Sequence, residues 1–322
     1  MTTNEFSIEP FGATFNGAQV YAFDKTALAN GTLKVQRIES TNPPLAEGVA
    51  YSLQPATSPV STEWSAAANG TEYLLSALDF DATLDHRIAA WALTNTASLA
   101  TGHPAVALQN VVVPSQVYGQ PPDAAQKVGP TPLADSLKDH EELLAGNDDR
   151  MQQVVYANGK LWAGLNTVVK TDNGPTHVGA AWFVVSPALS SRGRLSASIV
   201  NQGIVAVNQQ NLLYPSIGVR PDGKGVITFT LSGTDYYPSA AYSRLTAAGA
   251  EGVVHVAAAG VQPDDGFSGY RAFGGHGTGR WGDYSAAVAD SAGNVWFAQE
   301  YIPGGPRTAL ANWGTFVSHI QP

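Results

Sequence analysis

The chain has 322 residues, 44% hydrophobic and only 13% charged, with 33 glycines, 20 prolines and no cysteine. That composition supplies a sizeable core, disfavours disorder and long helices, and excludes disulfides, thiolate catalysis and cysteine-ligated zinc. Seventeen basic against 26 acidic residues leave a net charge of −9 with no basic run, which excludes a phosphate-tracking nucleic-acid surface, and no apolar stretch is long enough to span a bilayer.

The opening MTTNEFSIEP lacks the basic and apolar parts of a signal peptide. Residues 3–6 read as a strand fragment similar to 298–301 near the other end, and 19–23 as a further strand. NGTEYLL at 69–75 then sets a turn glycine three places before an aromatic residue in a strand, and strand-like runs follow at 88–93 and 106–113. A Pro-rich insertion occupies about 114–147, with a helical period over 132–144 carried by Leu133, Leu137, Leu143 and Leu144. ANGKLWAG at 157–164, preceded by MQQVVY, and SAGNVWFA at 291–298, preceded by YSAAVA, are the clearest copies of the turn-plus-strand unit and predict tight hairpins. A weaker copy, DGKGVITF, lies at 222–229. Strands are predicted at 178–185, 196–205, 240–245, 253–258 and 315–320.

Aligning Tyr73, Trp162, Val226 and Trp296 gives spacings of 89, 64 and 70 residues with room for four strands per repeat. This predicts an all-β fold, a single β-propeller over 1–322 built of four-stranded blades. Five blades are favoured, or a larger ring if residues precede Met1. Ring closure is expected from one blade that combines strands of both termini, because closure removes exposed edges. Trp162 and Trp296, each following a turn glycine, are expected to pack between blades.

RWGDYS at 280–285, followed by AVADSAGNVWFAQEY and NWGTFVSHI, resembles the carboxy-terminal blade of bacterial secreted β-propeller proteins of the sialidase-like repeat type. The segment NDDRMQ at 147–152 with VVYANGKLWAGLNT resembles another element of that group. The resemblance implies a propeller exported to the periplasm or the outside of the cell, with a leader absent from this chain. It does not bring the three arginines and nucleophilic tyrosine of a true sialidase, and 290–296 is a distant version of the Asp-box turn.

In a propeller, loops entering the innermost strands meet on one face, where ligands bind. That rule gathers Asn147, Asp148, Asp149, Arg150, Tyr214, Arg280, Trp281, Asp283 and Tyr284, with Asn166, Glu300, Tyr301 and Glu5 from second-strand ends. Asp149, Asp283 and Glu300 are the candidate catalytic carboxyls, since glycoside cleavage needs one acid and one base or nucleophile. The competing reading pairs Asp149 with Arg150 and Asp283 with Arg280 as struts between blades. Arg150, Tyr214, His276, Arg280, Trp281, Tyr284 and Tyr301 are the candidate ligand-binding residues. His276 sits in a glycine-rich approach where an imidazole can act as a base, while Tyr236 and Tyr237 are further candidates for stacking. None of the seven histidines has zinc-site spacing, the metal ligands stay unknown, and a calcium ion on Asp149 or Asp283 is the one cofactor considered.

The expected function is a monomeric propeller that binds a glycan or an extracellular polypeptide. The alternatives are a polysaccharide hydrolase or lyase using the channel carboxyls, and a structural or adhesive domain.

Overall fold

In the computed structural model, residues 1–8, 14–39, 45–59, 70–79, 81–171, 174–246, 248–304 and 308–322 are described. Asn69, the first residue of one repeat copy, lies outside them.

Strands β1 (Thr2–Phe6), β2 (Phe15–Phe23) and β3 (Val35–Glu39) form a first antiparallel sheet. The short helix α1 (Lys25–Ala29) follows β2 and is capped by Asp24, whose carboxylate accepts the backbone N–H groups of Thr26 and Ala27. The second sheet is a meander of β4 (Gln54–Thr57), β5 (Glu72–Ala77), β6 (Leu84–Thr94) and β7 (Ala107–Gly119). Helix α2 (Pro132–Leu137) and β8 (Leu143–Leu144) lead to a third sheet of β9 (Gln153–Ala157), β10 (Lys160–Val169), β11 (His177–Leu189) and β12 (Leu195–Val205). The fourth holds β13 (Gln210–Val219), β14 (Gly225–Gly233) and β15 (Ser239–Thr246), whose outer edge is shared by β16 (Gly249–Ala250) and β17 (His255–Ala258). Strand β18 (Thr278–Gly279) pairs in parallel with β8, and β19 (Ala286–Ala289), β20 (Val295–Tyr301) and β21 (Gly314–Ile320) make the last sheet.

Successive up-and-down sheets packed face to face in chain order make this a β-propeller, the architecture the repeat predicts. The hairpin between β9 and β10 shows how sequence sets the geometry. Asn158 and Gly159 both have positive φ, 53° and 67°, and Ala157 pairs directly with Lys160. A two-residue turn with both φ values positive matches the twist of the strands it joins, which is why Asn-Gly stands there. Inner strands β4 and β9 also pair in parallel, Ala56 with Val154 and Thr57 with Val155, so the second and third sheets share a hydrogen-bonded seam.

Four expectations change, the first three in the chain's course. No blade combines the termini among the described residues: β1 pairs with β2, β21 pairs with β20, and each end of the chain builds its own sheet. The helix predicted over 132–144 stops at Leu137, where Lys138 turns left-handed at φ 56° and frees Leu143 and Leu144 to pair as β8. The insertion also starts later than Pro114, because β7 runs through to Gly119.

The four residues aligned by the repeat fall in the second strand of their sheets, and the first three point at the next sheet. Tyr73 lies in the core between the second and third sheets, Trp162 between the third and fourth, and Val226 between the fourth and last. The corresponding face of the last sheet remains open: Trp296 is 42% exposed, and Val288 and Val317 on the same face are more so. Trp296 therefore does not pack between blades. It lies on the ring of His319 at 4.6 Å and donates Nε1–H to Asp290 at 2.8 Å.

Candidate functional site

Strand alternation carries Trp296, Ala298 and Glu300 along the same open face of β20. Over that face lies a cleft of about 540 Å³, walled by Phe267, Arg280, Tyr284, Glu300, Trp313 and Thr315. Phe267, Tyr284 and Trp313 expose 43%, 56% and 55% of their surface, so three aromatic rings border one half-buried carboxyl.

Glu300 is pushed up to about 7, first by burial and then by the nearby charge of Asp264, against the lowering effect of a hydrogen bond from the Gly282 N–H. Gly282 has φ 58°, and a Cβ there would stand 3.1 Å from Glu300 Oε2. A side chain at 282 would meet both the backbone strain and the carboxyl, which accounts for the glycine in RWGDYS.

A second depression of about 230 Å³ adjoins across Arg280, lined by Ala145, Asn147, Tyr214, Trp281 and Asp283. Tyr214 sits at φ 52° within β13, where the register with β14 shifts between Leu213 and Ser216. Fully buried Asn166 props this strained backbone, accepting the Tyr214 N–H at 2.9 Å and donating to the Gly146 carbonyl at 2.9 Å. Ser285 donates to the Tyr214 carbonyl and the Tyr214 hydroxyl donates to Ala145, so three chain segments meet there. Trp281 is 1% exposed, packed with Leu144, Tyr214 and Ile302. Its Nε1–H has no hydrogen-bond partner among the described residues, a deficit that costs about 1–3 kcal/mol.

The structure thus gathers Glu300, Arg280, Asp283, Tyr284, Tyr214 and Trp281 around two joined depressions. Arg280 grips Asp283 through Nη2 at 2.9 and 3.1 Å, the pairing the competing reading expected, but the two stand three residues apart in one loop and are largely exposed, so the pair ties no blades together and holds little stability. Arg150 binds Asp148 instead of Asp149, through Nε at 2.6 Å and Nη2 at 2.5 Å, and its remaining reach goes to the Tyr284 hydroxyl.

Asp149 faces Asp79, away from both depressions, and burial with that hydrogen-bonded neighbour raises it to about 8. Tyr301 follows Glu300 on β20, so the alternation turns it to the opposite face, where it meets Phe316 edge-on at 5.8 Å. His276 lines neither depression, and Glu5 is held by Gln19 at 2.6 Å in the first sheet. Tyr237 stands beneath the Lys127 ammonium at 5.2 Å. Asp264 and Asp265 are buried: Asp265 accepts the N–H groups of Leu133 and Ala134 and the Tyr270 hydroxyl, tying α2 to the body. Glu142 lies beside Asp264, and burial with that neighbour raises it to about 9. Among the described residues no three His, Cys, Asp or Glu side chains converge as metal ligands. No helix there is long and apolar enough to cross a membrane.

Sequence reasoning missed Trp313 and Phe267, the most exposed rings of the cleft after Tyr284. Trp313 stands in NWG directly before β21, and an aromatic at a strand entry next to the face that carries Glu300 was the available signal.

No protein-family model and no curated protein sequence matches the chain. Among solved structures, a GH43 endo-arabinanase from Bacillus licheniformis is similar at 12% identity and a TM-score of 0.31, over 78% of this chain and 68% of that one.

Proposed function

We propose that the protein binds a glycan in the cleft on the open face of its last sheet. The observation that carries this reading is the lining: exposed rings of Phe267, Tyr284 and Trp313 around the half-buried carboxyl of Glu300. Sugar rings present apolar C–H faces that stack on aromatics and hydroxyl edges that both donate and accept, and the cleft offers a match for each. Glu300, held near neutrality, donates a hydrogen bond when protonated, while Arg280 and Asp283 place a donor fork and an acceptor on the rim.

A glycan array read with the intact chain and with W313A tests this. Retention of a defined oligosaccharide, lost in W313A, is the expected result; an array with no retained glycan, or retention indifferent to W313A, removes the reading.

A hydrolytic role gains support from one feature, the elevated Glu300. A carboxyl near 7 is suited to protonate a leaving oxygen, and Asp283, an exposed carboxylate of the adjoining depression whose charge acts on Glu300, is the candidate second carboxyl. Release of reducing ends from a retained polysaccharide, abolished in E300Q, is the outcome that reading requires.

A further inference from the structure

We infer that the protein pairs with a second copy of itself through its last strand, β21 against β21 about a two-fold axis, in place of the monomer expected from the sequence. The inference is independent of the glycan reading, because it rests on the edge of the last sheet and not on the cleft.

A strand at the edge of a sheet offers a row of unpaired N–H and C=O groups to any other chain, and folded proteins blunt such edges with charges, prolines, bulges, short length or a cover. The other outer strands here are blunted. β3 carries Arg37 and Glu39. β7 carries Pro114 and a register shift, and it interlocks with β12: Gln109 accepts the Leu195 N–H at 3.1 Å, and the Gln116 amide donates to the Gly203 carbonyl at 2.8 Å. β17 is only four residues long. β21 has none of these protections. Its seven residues, GTFVSHI, include no proline and no Asp, Glu, Lys or Arg, and they pair with β20 in unbroken register from Gly314 to Ile320. Along its other side no strand pairs with it among the described residues, and none of its residues is buried.

The order of residues in β21 selects the occupant. Val317 is the midpoint, so an antiparallel pair centred there sets Val317 on Val317, Phe316 on Ser318, Thr315 on His319 and Gly314 on Ile320. Every residue of both strands is used, over about 23 Å. Val317 is 60% exposed, more than any other large apolar side chain in this sheet, and in the pair it covers itself. Two chains of net charge −9 repel each other over most of their surface, whereas this seam sets no like charges opposite. The two-fold makes the contact closed, a dimer and not a fibre. Directly opposite residues share a face, so both open faces lie on one side of a continuous sheet, and Thr315 of one cleft stands beside the partner's His319. A seam of one strand pair is small against the roughly 1,200–2,000 Å² of a standard interface, so association is expected at micromolar concentration.

Sedimentation velocity of the full chain, over a series from low to high micromolar protein, tests this. A shift from monomer to dimer is expected. Val317 is exposed and lies outside the cleft lining, so V317K should keep its thermal midpoint, yet it sets two ammonium groups face to face and should weaken association at least about tenfold. V317D alone should fail in the same way, and an equimolar mixture of V317K and V317D should recover the dimer. The chain has no cysteine, so V317C supplies a single thiol: mild oxidation should link it into dimers and leave S318C largely unlinked, because Ser318 faces Phe316. One monomeric mass throughout the series overturns the proposal. So does a dimer that V317K leaves intact, a mixture that stays monomeric, or growth beyond the dimer, which would mean a head-to-tail contact. A dimer abolished by W296A and not by V317K would seat the second copy on the open face and overturn the edge pairing.

Discussion

The side chains of Asp79 and Asp149 are hydrogen-bonded to each other in the interior, and the Oδ2 atom of each has no other donor among the described residues. Two ionised carboxylates cannot occupy that arrangement, so the pair holds one proton between them. Asp79 keeps Oδ1 for the Thr83 N–H at 2.9 Å, which fixes one half of the pair to the turn before β6.

This proton makes folding sensitive to alkali. Asp149 titrates near 8 in the folded chain and near the ordinary 3.9 when unfolded, so the folded state holds the extra proton between those limits. Its stabilisation is complete below about pH 4, declines as pH rises, and is lost above about 8. Glu72, Glu142 and Glu300, raised to about 7, 9 and 7 by burial, contribute in the same direction. Urea midpoints are expected to fall from pH 5 to 9. D149N, whose amide can donate permanently to Asp79, should flatten that fall by up to about 1.4 kcal/mol per pH unit. A D149N profile parallel to the parent would assign the slope to the glutamates.

Glycan retention should carry its own pH signature. If protonated Glu300 donates to the ligand, affinity is constant below about pH 6 and weakens as pH rises through 7. E300Q keeps a donor of the same shape and should bind with little pH dependence over this range. G282A should weaken binding several-fold, because its Cβ would press on Glu300 Oε2 from a strained backbone. An E300Q profile as steep as the parent's would place the titrating group elsewhere.

Much of the scaffold could be read from periodicity. The turn-glycine-aromatic unit placed Tyr73, Trp162, Val226 and Trp296 in equivalent second strands, since hairpin chemistry and the period-two burial of strands are local properties. The site was legible in part for the same reason: loop entries to β9 and β19 converge, and Arg280, Asp283, Tyr284 and Glu300 were within reach of that rule. Which carboxyl meets which partner was not legible. Arg150 takes Asp148 because a two-residue separation lets the guanidinium lie flat on it, while Asp149, pointing the other way, finds Asp79 seventy residues upstream. Ring closure depends on how sheets at opposite ends of the chain meet, for which no local signal exists, and with it went the fate of Trp296 and the existence of the cleft.

That difference between equivalent tryptophans gives the sharpest stability test. Trp162 is enclosed by Val155, Trp182 and Ile217 in the core between the third and fourth sheets, and its Nε1–H reaches the Ala157 carbonyl at 3.0 Å. Removing such a side chain leaves a cavity with little room to collapse, so W162A should cost about 3–5 kcal/mol. Trp296 holds the same repeat position on the open face, where truncation leaves solvent and not a void. W296A should cost about 1 kcal/mol or less, from the lost contact with His319 and the bond to Asp290. Paired urea melts read the contrast directly. Equal losses in the two variants would mean that the face of β20 is covered in solution, and would place a neighbour over the cleft that the open face provides.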